Sequence, residues 1–245
     1  MRLSSTLCVG LLFIAFGPLT MGRADDTQSV KEQALAGPNN VQVKVRMEGP
    51  YTADFPLQVV CYFKYTPEGA KRMTGAPVEL DKELGGIIGS LRSRGEFVGD
   101  ALETLLINTP NGTIKAPQLL LIGLGDEASL SLDLMEQVGR VAVREAARLG
   151  VKRMAFAPLI RDQGNSKLPT GDVGRAVLRG MLLAYDTEKR LQREGLAKDF
   201  TLEVWSQEAG PAYFDETSAA AQRAIGDATA IIERRTRDRY GAAKK

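Results

Sequence analysis

Residues 119–125 read Leu119-Leu120-Leu121-Ile122-Gly123-Leu124-Gly125. Four large apolar residues in a row, with no polar alternation, describe a short strand covered on both faces. The glycines at its end describe a tight exit. A strand of this kind belongs in the middle of a sheet that has helices above and below it.

Downstream, Ser131 is placed to cap a helix, with Asp133 in its first turn. Met135, Val138, Ala142 and Leu149 share one side of that helix, and Gly150 is a natural stop. Met154-Ala155-Phe156-Ala157-Pro158 reads as another buried strand, and residues 161–170 as a polar loop. Val173, Ala176, Val177, Gly180, Met181, Ala184 and Tyr185 recur at helical spacing and predict a helix over 171–194. Phe200-Thr201-Leu202-Glu203-Val204-Trp205 is the last expected strand. A final helix starts near Asp215, with Ala221, Ala224, Ile225, Ala228 and Ile232 inward.

Upstream, Thr104-Leu105-Leu106-Ile107 is a strand joined to 119–122 through the turn Pro110-Asn111-Gly112. Arg94-Gly95-Glu96-Phe97-Val98-Gly99-Asp100 is a glycine-punctuated loop. Leu80, Leu84, Ile87, Ile88 and Leu91 predict an amphipathic helix over 79–92, with Asp81 and Glu83 on its solvated face. Residues 57–63 are a strand apolar on both faces, and Val41, Val43, Val45 and Met47 alternate as a half-buried one. Residues 25–40 read as a flexible lead-in. Helices alternating with apolar strands predict an α/β fold, a mixed β-sheet sandwiched between helices, as one domain over 41–240 with a basic tail at 241–245.

Residues 1–24 have the layout of a secretory signal peptide: Arg2, the apolar run Leu7–Phe16, the break Gly17-Pro18, and small residues at Gly22 and Ala24. Cleavage after Ala24 and export to the periplasm or medium are therefore expected, with no membrane anchor remaining. Cleavage would remove Arg2 and Arg23 from 32 basic residues and leave 30 against 30 acidic ones. A neutral chain has no general electrostatic drive toward nucleic acid. Histidine is absent from all 245 residues. That excludes Ser-His-Asp and Cys-His catalysis and histidine-ligated zinc. Beyond the leader the one cysteine is Cys61, in an apolar strand, where a buried structural thiol is expected.

Gly123-Leu124-Gly125-Asp126, at a strand end shortly before a helix, is a place where backbone N–H groups can cradle a phosphate. Gly95 and Gly99 can line the same crevice. The Gly-x-Gly-x-x-Gly pattern is incomplete because Ala128 takes its last position. The competing reading makes these glycines turn formers only. Asp126 and Glu127 can hold a cation or simply complement a helix dipole.

Three segments in succession resemble the N-terminal domain of the leucyl aminopeptidase, or cytosol aminopeptidase, family. They are Gly95–Asp100 leading into Leu105-Leu106-Ile107, the strand ending Gly123-Leu124-Gly125, and the helix Ala176–Asp186 followed by Lys189. The resemblance implies a macro-like fold over about residues 40–240, and nucleotide or ADP-ribose-like binding as one function. In that family a catalytic domain follows, holding two metal ions and an Asn-Thr-Asp-Ala-Glu-Gly-Arg signature. This sequence contains no such signature, so no catalytic residue, metal ligand or cofactor carries over. The expectation is an exported, non-catalytic binding or regulatory domain. It would act by protein–protein contact with a catalytic aminopeptidase or with itself, as an accessory subunit of a split enzyme in one version.

Overall fold

The apolar runs of the sequence become the interior strands of a single sheet. The computed structural model describes residues 30–237, so the leader at 1–24 and the tail at 241–245 lie outside the described residues. Among the described residues seven strands occur: β1 (Glu32–Ala36), β2 (Gln42–Arg46), β3 (Leu57–Tyr62), β4 (Thr104–Asn108), β5 (Gln118–Gly123), β6 (Arg153–Ala157) and β7 (Val204–Glu208). Their order across the sheet is β1-β2-β7-β6-β3-β5-β4. The five inner strands run parallel, and β1 and β4 pair antiparallel at the two edges.

Among the described residues six α-helices flank the sheet: α1 (Pro67–Arg72), α2 (Ala76–Glu83), α3 (Ile87–Ser93), α4 (Leu132–Leu149), α5 (Thr170–Arg193) and α6 (Phe214–Arg237). Alternate residues of each inner strand face opposite cores, as the period of two requires. Val59, Cys61, Leu120 and Ile122 enter the larger core with α4, α5 and α6. Val60, Tyr62, Leu119 and Leu121 enter the smaller one with Leu80 of α2, Leu84 just after it and Ile88 of α3. Ser131 caps α4 by accepting from the Leu134 N–H at 3.2 Å, and Gly150 ends it in the left-handed region. No helix among the described residues is long and apolar enough to cross a membrane.

The structure departs from the sequence reading in four places. The lead-in 25–40 contains β1, which is ordered by pairing with β2 rather than by its own weak alternation. The helix expected over 79–92 is two helices, because Gly85 and Gly86 adopt φ of +68° and +81° and turn the chain between them. Asp81 is correspondingly not a solvated-face residue. Its carboxylate accepts from the N–H groups of Ile88 and Gly89 and caps α3. The last strand lies four residues later than expected, at 204–208 instead of 200–205, because register with β2 and β6 sets it. Phe200 and Leu202 are buried before it, Phe200 edge-on to Tyr185. Trp205 is fully buried and stacks on Phe156 at 5.4 Å.

Candidate functional site

The carboxyl ends of β2, β6 and β7 lie side by side, and a cavity of about 420 Å³ opens above them. Met47–Tyr51 leave β2 along one wall, Pro158–Asp162 leave β6 along another, and Ala209–Pro211 leave β7 across the floor. Thr170 and Val173 of α5 close the back. Most of this lining is apolar, and the volume suits a small organic molecule.

Two carboxylates stand at the floor. Glu208 is the last residue of β7 and is 7% exposed. Glu48 follows β2, and its side chain is 5% exposed. Arg46 is the cross-strand neighbour of Glu208 and makes no ion pair with it at salt-bridge distance, though its charge still acts on it. It pairs with Glu48 at 2.7 Å and Glu32 at 3.4 Å, while Lys44 also meets Glu32 at 2.7 Å. Lys44 and Arg46 thus balance Glu32 and Glu48, and Glu208 is left without a cation of its own. Neither oxygen of Glu208 has an aligned hydrogen bond. Burial pushes the Glu208 carboxyl well above the usual range. Glu48 adds to that push, whereas the nearby Gln58 amide and Arg46 oppose it. Burial also raises Glu48, with Arg46 opposing.

The rest of the lining is better satisfied. Arg161 donates to the Thr170 hydroxyl at 3.2 Å and the Leu168 carbonyl at 3.1 Å, and sits 5.9 Å from the Tyr213 ring. Half-buried Asp162 is raised by burial, and a backbone hydrogen bond from Ala76 opposes the rise.

The glycines singled out from sequence are partly brought together. Gly99, Gly123 and Gly125 meet where the 98–103 loop crosses the ends of β3 and β5. Gly125 donates to the Gly99 carbonyl at 2.8 Å, Gly99 to the Glu103 carboxylate at 2.6 Å, and Gly123 to the Glu103 carbonyl at 2.8 Å. A side chain on Gly123 would overlap the Asp100 backbone, and one on Gly99 would lie 2.7 Å from the Phe63 carbonyl oxygen. Gly95 lies apart, at the end of α3, donating to Arg92. The N–H groups of all four glycines are therefore engaged within the chain. Close backbone packing accounts for Gly99 and Gly123.

Asp126 borders a second, polar pocket of about 170 Å³ with Lys64, Arg72, Glu127 and Gln163. Its charges are paired internally: Arg72 with Glu127 at 2.9 Å and Lys64 with Asp100 at 2.8 Å. Arg92, 4% exposed, donates to the Phe63 carbonyl at 2.8 Å and covers Tyr62 at 4.6 Å. Among the described residues no group of three or more histidine, cysteine or acidic side chains is arranged to hold a metal ion.

Sequence reasoning missed Glu48 and Glu208. A signal was present. Glu48-Gly49-Pro50 and Glu208-Ala209-Gly210-Pro211 each place an acid just before a Gly-Pro exit. Ending the last strand at Trp205 hid it, because Glu208 then fell in a loop.

Residues 59–194 match the model of the cytosol aminopeptidase family, N-terminal domain. The probable cytosol aminopeptidase of Alkaliphilus oremlandii is 31% identical over 141 residues, covering 55% of this chain and 28% of that protein. That of Syntrophotalea carbinolica is 32% identical over 161 residues, covering 62% and 31%. The matched part thus spans less than a third of either relative's length. A tomato leucine aminopeptidase mutant superposes with a TM-score of 0.55 at 20% identity, over 78% of this chain and 38% of that one. An Oceanobacillus iheyensis macrodomain with ADP superposes at 0.54 and 10% identity, over 81% and 98%. The fold is macro-like, as the resemblance implied.

Proposed function

Because this chain belongs to the cytosol aminopeptidase family through that family's N-terminal domain, we propose that it is a non-catalytic binding domain that holds a small molecule above the carboxyl ends of β2, β6 and β7. Glu208 carries this reading: a buried carboxylate with no aligned partner, facing an apolar cavity. Ligands of open α/β sheets bind outside the carboxyl ends of the strands. Apolar walls with a few convergent polar groups are the usual makeup of such sites. The non-catalytic part rests on the family match, which is to the N-terminal domain.

The test is a binding screen on the purified chain, read by backbone amide shifts. Shifts should cluster on Glu48–Tyr51, Pro158–Asp162 and Glu208–Tyr213, and Thr170→Trp at the cavity wall should abolish them. Shifts confined to other surfaces would refute the placement. Leucyl-p-nitroanilide with manganese or zinc should not be hydrolysed, and turnover by the chain alone would refute the non-catalytic reading.

A nucleotide is the second reading, supported by the likeness to the macrodomain with ADP. Tyr51 and Tyr213 at the cavity offer ring faces, and Arg161 offers a cation. Titration with ADP and ADP-ribose tests it. Shifts at Gly210–Tyr213 would place the nucleotide in the larger cavity, and shifts at Gly123–Asp126 would place it in the crevice read from the sequence. Contact with an aminopeptidase catalytic unit is compatible with either ligand, and co-elution of the two on size exclusion would support it. The leader adds export to the proposal: the mature N-terminus should be Asp25, and a chain that retains Met1 in the exported fraction would oppose it.

A further inference from the structure

The acids at the cavity specify a ligand chemistry by what they lack. Glu208 of β7 and Glu48 beyond β2 line it, with Gln58 of β3 against Glu208. Both Glu208 oxygens and the Gln58 Oε1 are acceptors without an aligned donor. The Gln58 amide nitrogen lies 3.3 Å from the Val59 carbonyl and also lowers the Glu208 titration as a donor. The Glu208 carboxylate therefore borders the cavity with no ion pair among the described residues, and the Gln58 amide is its one polar donor. The charges point the same way. Lys44 and Arg46 are matched by Glu32 and Glu48, and Lys115 and Asp54 act on Glu48 with opposite signs. Glu208 remains one uncompensated acid. A bound anion would oppose ionisation of Glu208 beside Glu48, whereas a bound cation supplies the counter-charge that burial denies it. Above the acids the walls are apolar or aromatic, with Tyr51, Pro158, Val173, Pro211 and Tyr213 surrounding the space.

We propose that this cavity binds an organic ammonium ion, a primary amine on a compact apolar body, with its N–H donors on Glu208 and its body against the tyrosine and proline walls. The inference deepens the small-ligand reading above and rests on it. Burial favours the protonated form of Glu208, and an ammonium ion in the cavity favours the carboxylate. Binding R–NH₃⁺ releases that proton to solvent, leaving a carboxylate–ammonium pair. No bond other than the O–H of Glu208 is broken. The cationic ligand thus strengthens as pH rises, by about tenfold per unit, until Glu208 is ionised in the free protein. Glu48, Asp162 and Arg161 border the same space, Arg46 acts on Glu208 and Glu48 from beside it, and both Glu48 and Asp162 are raised acids.

Calorimetry of the full chain with butylammonium, benzylammonium, n-butanol and butyrate, at pH 6 and pH 8, tests the assignment. One saturable site for the amines is expected, tighter at pH 8, with the alcohol and the carboxylate roughly tenfold weaker or worse. Glu208→Gln keeps the shape and removes the charge. It should lower amine affinity roughly tenfold and erase the pH dependence, with unchanged circular dichroism. If that variant misfolds, the wild-type comparison of amine with alcohol still decides. Equal binding of butanol and butylammonium, or full amine affinity in Glu208→Gln, overturns the ammonium assignment and leaves the cavity a neutral-ligand site. Binding of ADP without amines does the same. No ligand of any class in the cavity overturns both readings.

Discussion

Replacing Glu208 by glutamine should make the protein more stable at neutral and alkaline pH, and the gain should grow with pH. The folded-state titration of Glu208 lies well above its ordinary value of 4.5 because the residue is buried beside Glu48. Below that ordinary value, folded and unfolded chains both hold the proton and the residue costs nothing. Between the two titrations only the unfolded chain has released its proton. Each pH unit in that window therefore removes about 1.4 kcal/mol of stability, and the loss is complete above the folded-state value. Glutamine does not titrate, so the variant escapes the loss. For a chain of this size each kcal/mol raises Tm by about 2–4 °C. Urea unfolding of both proteins at pH 5, 6.5 and 8, followed by the single tryptophan, measures the difference directly. A variant less stable than the parent at pH 8, or a difference that does not change between pH 5 and pH 8, would refute the reasoning. A carboxylate retained where an amide is more stable is what a binding site, rather than a core, selects for.

Arg92→Met should cost about 2–4 kcal/mol in urea unfolding, since it orphans the Phe63 carbonyl and uncovers Tyr62 and Tyr65. Lysine at the same position should rescue little, lacking the flat face that stacks on both rings. Gly180→Ala should lower Tm markedly, on the order of 3 kcal/mol, because a methyl group there overlaps the Glu136 carbonyl of α4; near-native stability would mean that the α4–α5 contact yields easily. Cys61 is fully buried, and burial pushes its thiol well above the ordinary range. Ellman's reagent should therefore label it only as fast as the chain unfolds, and rapid labelling of the native protein would contradict the packing around β3.

The parts of the fold legible in the sequence were those whose signal is local. Leu119–Ile122 reads as a central strand because four apolar side chains need cover on both faces, and all four are fully buried. Ser131 and Gly150 mark the ends of α4 because capping is decided within one turn. β1 was not legible, because Glu32, Ala34 and Ala36 are exposed and only partnership with β2 makes the segment a strand. The displacement of β7 has the same cause. Residues 200–205 look more strand-like than Gln207 and Glu208, but hydrogen-bonding register with β2 and β6 overrides local preference.

Composition and pattern alone determined the alternating α/β order, the exclusion of histidine chemistry and the family resemblance, since each depends on residue identity and spacing along the chain. Which glycines are packing joints, which acid stands unpaired and where a cavity opens were decided only in three dimensions. Those properties depend on the strand order that sets β2 beside β7. That order brings Glu48 and Glu208, 160 residues apart in the chain, to one floor. It also gives the cross-strand arginine, Arg46, to Glu48 and Glu32. Charge balance at a buried site is a sum over neighbours, and a linear sequence does not say who the neighbours are.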